Sequence, residues 1–546
     1  MKKILFVFLT VLLTGAYSIA QVNQSSVNQM GTDNSALVTQ VGVFNINDIY
    51  QDGTLNEAEV DQLGVFNVSL LQQVGEKNGY FATQVMSNFS TALQLGWNNL
   101  AVVDQIGMNS SYVTQFFGED NEAYVTQKGF FNTSDIDQWF SYAETADVFQ
   151  HGLFNAAKVL QLGGMYDEAV ISQWGIGNYA NVLQEDTYAN YALVNQVGFM
   201  NSAFVDQWLG YMNSVEIDQH GMFNTAYADQ WGGESNVSLI SQKGKNNFTS
   251  TFQGGGWMNG ISVSQKGNGN AAYATQYGGW LNTALIAQQG KGNLAVTTQD
   301  GGFGNLIDVD QRGKMNDAFV YQLDGSLNWA LVTQRGKSNY TEVDQIDGYW
   351  NTADVYQQGR GNSADVDQLG GEFNTAEIEQ YRKGNDAKIT QVAGAFTNAY
   401  IGQDGKYNEA EIYQEYNYGS TAQVAQIGNE NLAYIEQFGT AFTYAGIGQY
   451  GNGNVAGIGQ YDVVNSSALI LQTGDDNFAT SVQAFGENNV ALTQQIGENN
   501  YSTTLQVGSN NSVDVYQMGY GHSSTVTQYG NGNTATVSQY NTGLNP

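Results

Sequence analysis

A seven-residue motif, Asn201–Gln207 (Asn-Ser-Ala-Phe-Val-Asp-Gln), recurs along almost the whole chain and limits the folds that the chain can adopt. Written as N-x-A-x-V-x-Q, it ends in glutamines that lie 23 or 46 residues apart, and a second series of glutamines lies between them at the same spacing. The repeating unit is therefore a pair of similar halves of 11 and 12 residues, which is typical of a solenoid. Clear members of the first series are Asn178, Gln184, Asn201, Gln207, Asn224, Gln230, Asn270, Gln276, Asn316, Gln322, Asn362 and Gln368.

The motif has the period of two that is expected of a strand with one buried face. Asn201, Ala203, Val205 and Gln207 lie on that face, whereas the positions between them are mostly polar or aromatic. A short glycine-bearing link follows each glutamine, so two strands and two bends close one turn. We count 46 such glutamines. The sequence therefore predicts an all-β protein: a parallel β-solenoid of about 23 two-strand rungs with two parallel sheets face to face.

Asparagine and glutamine on the buried face require a compensating set of hydrogen bonds. When the rungs stack, identical amides lie about 4.8 Å apart and can bond to one another along the stack. The residues that we expect to form these ladders, and to mediate assembly, are those of the first series together with Ala203 and Val205.

Composition agrees with an uninterrupted sheet and excludes several classes of protein. The only proline among 546 residues is Pro546, and proline would interrupt a ladder of backbone hydrogen bonds. The absence of cysteine excludes disulfides and thiolate metal sites. A net charge of −33 argues against nucleic acid as a partner. No cofactor is expected.

Residues 1–20 have the features of a secretory signal peptide, namely a basic start, a short apolar core and a small-residue cleavage site. No later stretch is apolar enough to span a bilayer as a helix. We expect residues 21–546 to form a single solenoid. The spacing is irregular over 21–115, follows the 23-residue period over about 115–506 and relaxes to 11-residue halves toward 546.

The 11/12 alternation distinguishes two edges of the solenoid. The five-residue bends carry most of the tryptophans: Trp139, Trp208, Trp231, Trp257, Trp280 and Trp350. This aromatic edge either binds carbohydrate or a neighbouring fibre or covers the bends, and we expect the rings to be buried within the stack. The four-residue bends carry most of the cations and form a basic edge, which we expect to contact the acidic faces of a neighbouring molecule. That edge includes Lys243, Lys245, Lys266, Arg312, Lys314, Arg335, Lys337 and Arg360.

Catalysis finds little support in the sequence. His151 and His220 follow ladder glutamines in equivalent bends, His522 replaces a ladder asparagine, and bends of four or five residues build no cleft. The segment Gly301–Leu306 resembles a calcium-binding nonapeptide, but Leu306 stands where the ligand aspartate would be and the period differs. We therefore expect the outward aspartates to keep soluble chains apart, with weak surface binding of divalent ions as the alternative. We therefore predict neither an enzyme nor a metal site.

The doubled motif N-x-A-x-[VI]-x-Q-x-G-x-x-N resembles the curlin repeat of bacterial curli subunits, and Asn270–Gln276 and Asn533–Gln539 are close matches. The resemblance implies a solenoid that stacks end to end into an extracellular functional amyloid at the surface of a two-membrane bacterium. It also implies export through an outer-membrane secretion channel, a nucleator subunit and contact with host or matrix surfaces. This chain has several times more repeats than family subunits commonly have.

The function that we predict is that of a secreted structural subunit of a curli-like fibre, which assembles by templating at exposed terminal rungs and has a role in adhesion. The alternative is a monomeric β-solenoid with capped ends that acts as an adhesin or binds carbohydrate or ice. The state of the terminal strands distinguishes the two, since a cap would cover them.

Overall fold

The computed structural model describes residues 22–541, which fall into two compact units, 22–177 and 178–541. The proposed signal peptide and Pro546 lie outside the described residues. Within that range the structure is all-β, with forty-four strands and no helix, as predicted. No helix in this range is long and apolar enough to cross a membrane.

The first unit contains twelve strands: β1 (Gln24–Thr32), β2 (Ser35–Val43), β3 (Ile46–Thr54), β4 (Glu57–Val65), β5 (Val68–Glu76), β6 (Gly79–Met86), β7 (Phe89–Trp97), β8 (Leu100–Glu119), β9 (Glu122–Trp139), β10 (Thr145–Leu153), β11 (Ala156–Leu162) and β12 (Glu168–Ile176).

The second unit contains the remaining strands: β13 (Tyr179–Glu185), β14 (Tyr191–Phe199), β15 (Ser202–Trp208), β16 (Ser214–Met222), β17 (Thr225–Trp231), β18 (Val237–Lys245), β19 (Phe248–Gly254), β20 (Gly260–Asn268), β21 (Ala271–Tyr277), β22 (Thr283–Lys291), β23 (Leu294–Asp300), β24 (Leu306–Lys314), β25 (Asp317–Leu323), β26 (Trp329–Lys337), β27 (Tyr340–Ile346), β28 (Thr352–Arg360), β29 (Ser363–Leu369), β30 (Thr375–Lys383), β31 (Asp386–Val392), β32 (Asn398–Lys406), β33 (Glu409–Glu415), β34 (Thr421–Asn429), β35 (Leu432–Phe438), β36 (Tyr444–Asn452), β37 (Val455–Val464), β38 (Ser467–Thr473), β39 (Phe478–Glu487), β40 (Val490–Glu498), β41 (Tyr501–Val507), β42 (Ser512–Tyr520), β43 (Ser523–Tyr529) and β44 (Thr534–Tyr540).

Strand pairing within each unit is parallel and joins strands that are one turn apart. In the second unit β15 pairs with β17 and β14 with β16, so odd and even strands form two separate sheets. In the first unit the spacing between turns varies, yet the register keeps glutamine opposite glutamine: Gln51 pairs with Gln73, and Gln73 with Gln94. The parallel β-solenoid is confirmed within each unit, whereas its continuity as a single solenoid stays a prediction.

The forty-four strands correspond to about 22 turns, against the 23 rungs counted from glutamines. The difference arises because β8 and β9 run through a bend without interruption and each contain two half-repeats. Small register shifts accompany these long strands, between Leu95 and Gly96 and between Met108 and Ser110.

The core of each turn consists of the alternate residues of the motif. In β15 and the residue that precedes it, Asn201, Ala203, Val205 and Gln207 are all buried, whereas the residues between them are exposed or half-buried. The side-chain amide of Gln207 also donates to the carbonyl of Tyr191 in the opposite sheet (3.2 Å). The two sheets therefore face each other across a thin core.

The bends require backbone conformations that glycine favours, as predicted. Gly198 has φ of 132°, and a Cβ at this position would lie 1.9 Å from the carbonyl oxygen of Gly221 in the next turn. A second residue of each bend, directly before the ladder asparagine, is also left-handed, and here the chain often uses a larger side chain such as Met200 (φ 51°) or Phe223 (φ 56°). The sequence pattern did not indicate this second position.

Some turns replace a motif residue and keep the fold. Thr397 stands in place of a ladder asparagine, and both its amide and its hydroxyl donate to Asn374 Oδ1 (3.1 and 2.7 Å). Tyr80 stands in a column of alanines and is fully buried; its hydroxyl contacts Ser69 and Ser90 of the opposite sheet (3.3 and 2.9 Å). Small residues across the core thus make room for the larger one.

Candidate assembly surfaces

Glutamine side chains form a continuous ladder in each sheet of the second unit. The Nε2 atom of Gln207 donates to Oε1 of Gln230 (2.8 Å), and Gln230 donates in turn to Gln253 (2.8 Å). The same Nε2 of Gln230 also lies 3.1 Å from the carbonyls of Ser214 and Asn236, so each glutamine fastens its own turn as well as the next one. These buried amides are well satisfied, which removes the usual cost of a polar core.

Asparagine side chains form a second kind of ladder at the four-residue bends. Asn224 Nδ2 donates to Asn201 Oδ1 (3.1 Å) and to the Gly244 carbonyl (3.2 Å), while the backbone amide of Asn224 also donates to Asn201 Oδ1 (3.1 Å). At the five-residue bends the geometry differs: Asn236 Nδ2 donates to the carbonyls of Gly255 and Gly256 (3.2 and 3.5 Å).

The two ladders run in opposite directions. Each glutamine donates to the following turn, whereas most asparagines at the four-residue bends donate to the preceding turn. Among the described residues, the buried Nδ2 atom of Asn362 is an exception that has no hydrogen-bond partner. The remaining predicted ladder residues lie in the same buried columns: Asn178, Gln184, Asn270, Gln276, Asn316, Gln322, Asn362 and Gln368. A turn added at either end can therefore bond correctly in only one orientation.

The terminal strands are open on their outer sides. In the part of the chain that the structure describes, β1 pairs only with β3, and β44 only with β42. All nine residues of β1 are exposed, including the core-facing Val27, which is 45% exposed, whereas its partner Ile49 in the next turn is fully buried. Within residues 22–541 no strand pairs with the outer side of β1 or of β44, so the backbone amides and carbonyls on those sides have no strand partner in this range.

The basic residues form two columns along the even-numbered strands of the second unit. Lys243, Lys266, Arg312 and Arg335 directly follow ladder glutamines, and a second column lies two residues further along each strand. The second column includes Lys245, Lys314, Lys337 and Arg360. All of these side chains are exposed except that of Lys337, which is half-buried. Arg312 forms an ion pair with Asp310 of its own strand (2.9 Å).

The expectation that the tryptophans are buried within the stack is wrong for five of the six, whereas Trp139 is half-buried. Trp208, Trp231, Trp257, Trp280 and Trp350 are between 43% and 54% exposed. Neighbouring rings stack in parallel, with centroids 5.6 Å apart for Trp208 and Trp231 and 5.2 Å apart for Trp257 and Trp280. Stacking covers the faces of the rings but leaves their outer edges in solvent, because the side chains project away from the core at the bends.

Carboxyl groups stacked on neighbouring turns have raised pKa values. Burial, followed by the charges of Asp367 and Glu342, raises the pKa of Asp344 to about 6. Glu144 takes the place of a ladder asparagine and is fully buried; burial, with a smaller contribution from the charge of Asp167, raises its pKa to about 9. Glu144 is therefore protonated in the folded chain at neutral pH.

The histidines do not form a constellation of the kind that catalysis requires. His151 stacks on Trp174 (centroids 4.8 Å apart), and His220 lies 2.9 Å from Asp218 of its own strand. His522 contacts the carbonyl of Met518 (3.1 Å). Within residues 22–541, no group of three or more histidine, aspartate and glutamate residues is arranged to hold a metal ion.

A family model described as the curlin associated repeat matches five segments of the chain, residues 212–244, 281–313, 302–336, 336–370 and 508–540. Each segment contains strands, a bend and ladder residues of the kind described above. The chain therefore contains curlin associated repeats. No curated protein sequence matches it. For a curlin-repeat protein with this solenoid fold, a structural role is favoured over a catalytic one.

Proposed function

We propose that this protein is a secreted structural subunit of a curli-like amyloid fibre in the extracellular matrix, where it contributes to adhesion. The observation that carries the proposal is the open state of the terminal strands. Exposed strand edges ordinarily promote unwanted pairing, and soluble β-proteins protect them. Here the open edges are the working surfaces, because a second copy can add its first turn to the last turn of the copy before it.

The hydrogen-bonding groups of the two end surfaces are complementary. Gln29 and Gln40 of the first turn donate to Gln51 and Gln62 (2.6 and 2.7 Å), which leaves their Oε1 atoms facing outward as acceptors. In the last turn the Oε1 atoms of Gln528 and Gln539 accept from the preceding turn, and their Nε2 atoms donate to the carbonyls of Ser512 and Ser523 (3.0 and 2.9 Å). Each of these Nε2 atoms carries a second hydrogen that can be donated to a following turn. Copies that point in the same direction therefore continue each ladder, whereas copies that meet N-terminus to N-terminus would place acceptor against acceptor.

The two end surfaces also have matching turn lengths. Gln29 pairs with Gln51, and Gln517 pairs with Gln539, so the spacing is 22 residues at both ends. Turns in the middle of the second unit have 23 residues, as between Gln207 and Gln230. The extra residue lies in the five-residue bend. A terminal turn therefore resembles the opposite terminal turn more closely than it resembles the turns in between, which favours end-to-end addition.

Assembly is tested on residues 21–546, released from denaturant at micromolar concentration. We expect long fibres by electron microscopy and a rise in amyloid-dye fluorescence, with a lag that preformed seeds remove. Soluble particles of uniform size that cannot be seeded would refute the proposal and favour the monomeric adhesin.

Two neighbouring residues of β2 supply a matched pair of variants. Val38 lies on the core-facing side of this terminal strand, opposite Val60 of the next turn, whereas Leu37 points outward opposite Glu59. Addition of another copy would bury a lysine at position 38 without a partner, which is strongly unfavourable. We expect V38K to slow seeded elongation at least tenfold and L37K to leave it close to the wild-type rate. Equal effects of the two variants would exclude end-on addition at this surface.

Export and surface attachment complete the proposal. The sequence of residues 1–20 supports secretion, and the family resemblance supports passage through an outer-membrane channel and initiation by a nucleator subunit. Loss of extracellular fibres from cells that express the chain without residues 1–20 is the expected result, measured by fractionation and microscopy.

A further inference from the structure

Six cations on six consecutive turns of the second unit form a single straight column. Each is the third residue after a ladder glutamine, and each pairs in register with the next. We call this set the cationic column: Lys291, Lys314, Lys337, Arg360, Lys383 and Lys406. The charges repeat at the strand spacing of about 4.8 Å, along one edge of the even-numbered sheet.

Little within the chain neutralises this column. Among the ion pairs of residues 22–541, none includes a member of the column. Like charges directly opposite each other on neighbouring strands repel and destabilise a sheet. The chain carries a net charge of −33, so a column of cations without carboxylate partners is not a consequence of its general composition. The arrangement suits a ligand that brings negative charges in a line.

Aromatic rings and further cations border the column. Lys383 Nζ lies 5.0 Å from the centre of the Tyr407 ring, and the Arg335 guanidinium lies 5.5 Å from that of Tyr356. Arg312 and Arg335 lie two residues before their neighbours in the column, on the same strands and the same face. The tyrosine rings hold two of these cations in place, and ordered cations in a row suit the carboxylates of an acidic polysaccharide.

We propose that the cationic column binds a linear anionic polysaccharide with a carboxylate on each sugar ring. A sugar ring linked through opposite ends spans a length close to the strand spacing. Because successive rings rotate about the polymer axis, every second or third carboxylate faces the column and the others face solvent. The column lies within one chain, so this proposal does not depend on fibre assembly.

Two other occupants fit the structure less well. Duplex DNA carries one charge per 1.7 Å or so of its axis and winds its phosphates away from a straight column, while the acidic faces beside the column repel so dense a charge. The acidic face of a second copy is already partly neutralised where Lys388 binds Asp365 and Asp367 (2.6 and 3.0 Å). That face also carries the bulky side chains of Phe319 and Tyr340, which alternate with its carboxylates along the stack.

The test uses the folded chain of residues 21–546, as fibres or as soluble protein, with fluorescent polygalacturonate as the probe. Fully methyl-esterified polygalacturonate has the same backbone without the charges and serves as the neutral control. We expect the charged polymer to bind with an affinity that falls steeply as salt is raised, and the ester to bind at least tenfold more weakly.

The variant K314Q/K337Q/R360Q removes the middle of the column. Its control, K77Q/K128Q/K158Q, removes the same charge from cations outside the column. We expect the first variant to lose affinity for polygalacturonate at least tenfold and to show a smaller salt dependence, and the control to lose less than twofold. Unchanged circular dichroism and an unchanged guanidinium denaturation midpoint in both variants show that the fold is intact.

Three results would overturn the proposal. The first is equal binding of the charged and esterified polymers, and the second is an equal loss in the two variants. The third is wild-type affinity in the column variant together with a loss of lateral bundling of fibres by electron microscopy, which would assign the column to contacts between copies. Tighter binding of duplex DNA than of polygalacturonate, sensitive to the column variant alone, would assign it to nucleic acid.

Discussion

Glycine packing in the bends predicts a graded series of substitutions. At Gly244 the backbone has φ of 125°, and an added Cβ would lie 2.0 Å from the Gly267 carbonyl oxygen in the next turn. At Gly255 the backbone is left-handed (φ 68°), but the space around the added Cβ is empty. Gly260 has neither a left-handed backbone nor a neighbour within 4 Å of that position. The three glycines therefore separate close packing from backbone strain.

The expected costs follow from these three environments. Gly260→Ala removes only the flexibility of the unfolded chain, and we expect it to be neutral or to stabilise by up to about 1 kcal/mol. Gly255→Ala places an L-residue in the left-handed region, which costs about 1–2 kcal/mol. Gly244→Ala adds a steric overlap that the chain can relieve only by shifting the bend, and we expect a total of about 2–4 kcal/mol.

The chain itself shows how such a shift would look. Arg382 occupies the column of bend glycines one turn beyond Gly359. Its φ is 77°, whereas φ is 124° at Gly336 and 143° at Gly359 in the two preceding turns. A side chain is therefore accommodated by a rotated backbone, so Gly244→Ala is expected to weaken the turn rather than to unfold the unit.

Hydrogen–deuterium exchange read by mass spectrometry measures the effect locally, and guanidinium denaturation measures it globally. Because each turn of a solenoid contacts only its neighbours, Gly244→Ala should lower protection in β18 and β20 and leave β42 unchanged. The reasoning is refuted if Gly244→Ala and Gly260→Ala exchange alike, or if Gly255→Ala is the most destabilising of the three.

Three further predictions concern buried polar groups. The pKa of Glu144 is raised in the folded chain to about 9. The folded state therefore holds a proton that the unfolded state loses once the pH exceeds the ordinary pKa of a glutamate, about 4.5. The stability of the fold consequently falls as pH rises between about 4.5 and 9. Glu144→Gln should flatten the pH dependence of stability and stabilise the first unit by up to about 3 kcal/mol at pH 7. Guanidinium denaturation across this pH range measures the effect, and an unchanged slope of stability against pH would contradict a raised pKa. Gln230→Leu leaves Gln207 Nε2 without its ladder acceptor and should cost about 2–4 kcal/mol of stability. Tyr227→Leu, on the outer face of the same strand, should cost less than about 1 kcal/mol. Similar rates of hydrogen–deuterium exchange in the two variants would contradict a contribution of the ladder to stability. Tyr80→Phe removes the hydroxyl that Ser69 and Ser90 contact and should cost about 1–2 kcal/mol by the same measurement, with an unaltered stability refuting a role for those contacts.

Much of the fold follows from the spacing of a few residues. A period of two places Asn201, Ala203, Val205 and Gln207 on one face, and a period near 23 places Gln207 opposite Gln230. Both are consequences of strand geometry and chain length alone, so the solenoid, its parallel pairing and the alignment of its glutamines could be predicted without coordinates.

The direction and the partners of each amide could not be predicted, because they depend on how the two sheets approach each other across the core. The sequence shows asparagines at both edges, but only the structure distinguishes Asn224, which bonds to another ladder asparagine, from Asn236, which bonds to bend carbonyls. The opposite directions of the glutamine and asparagine ladders, which underlie the proposed polarity of assembly, arise in the same way.

The sequence by itself therefore determined the repeat, the strands, the two kinds of edge and the register, since each depends on residues that are regularly spaced along the chain. Only the tertiary structure decided which side chains are exposed at the bends and which carboxyl group is buried among neighbours that raise its pKa. It also decided which cations of residues 22–541 stand in line without a carboxylate partner. Exposure, pKa and charge pairing depend on atoms that meet through space, from turns that are more than twenty residues apart in sequence. Trp257 illustrates the difference: its spacing was evident, but its exposure follows from the outward direction of its bend.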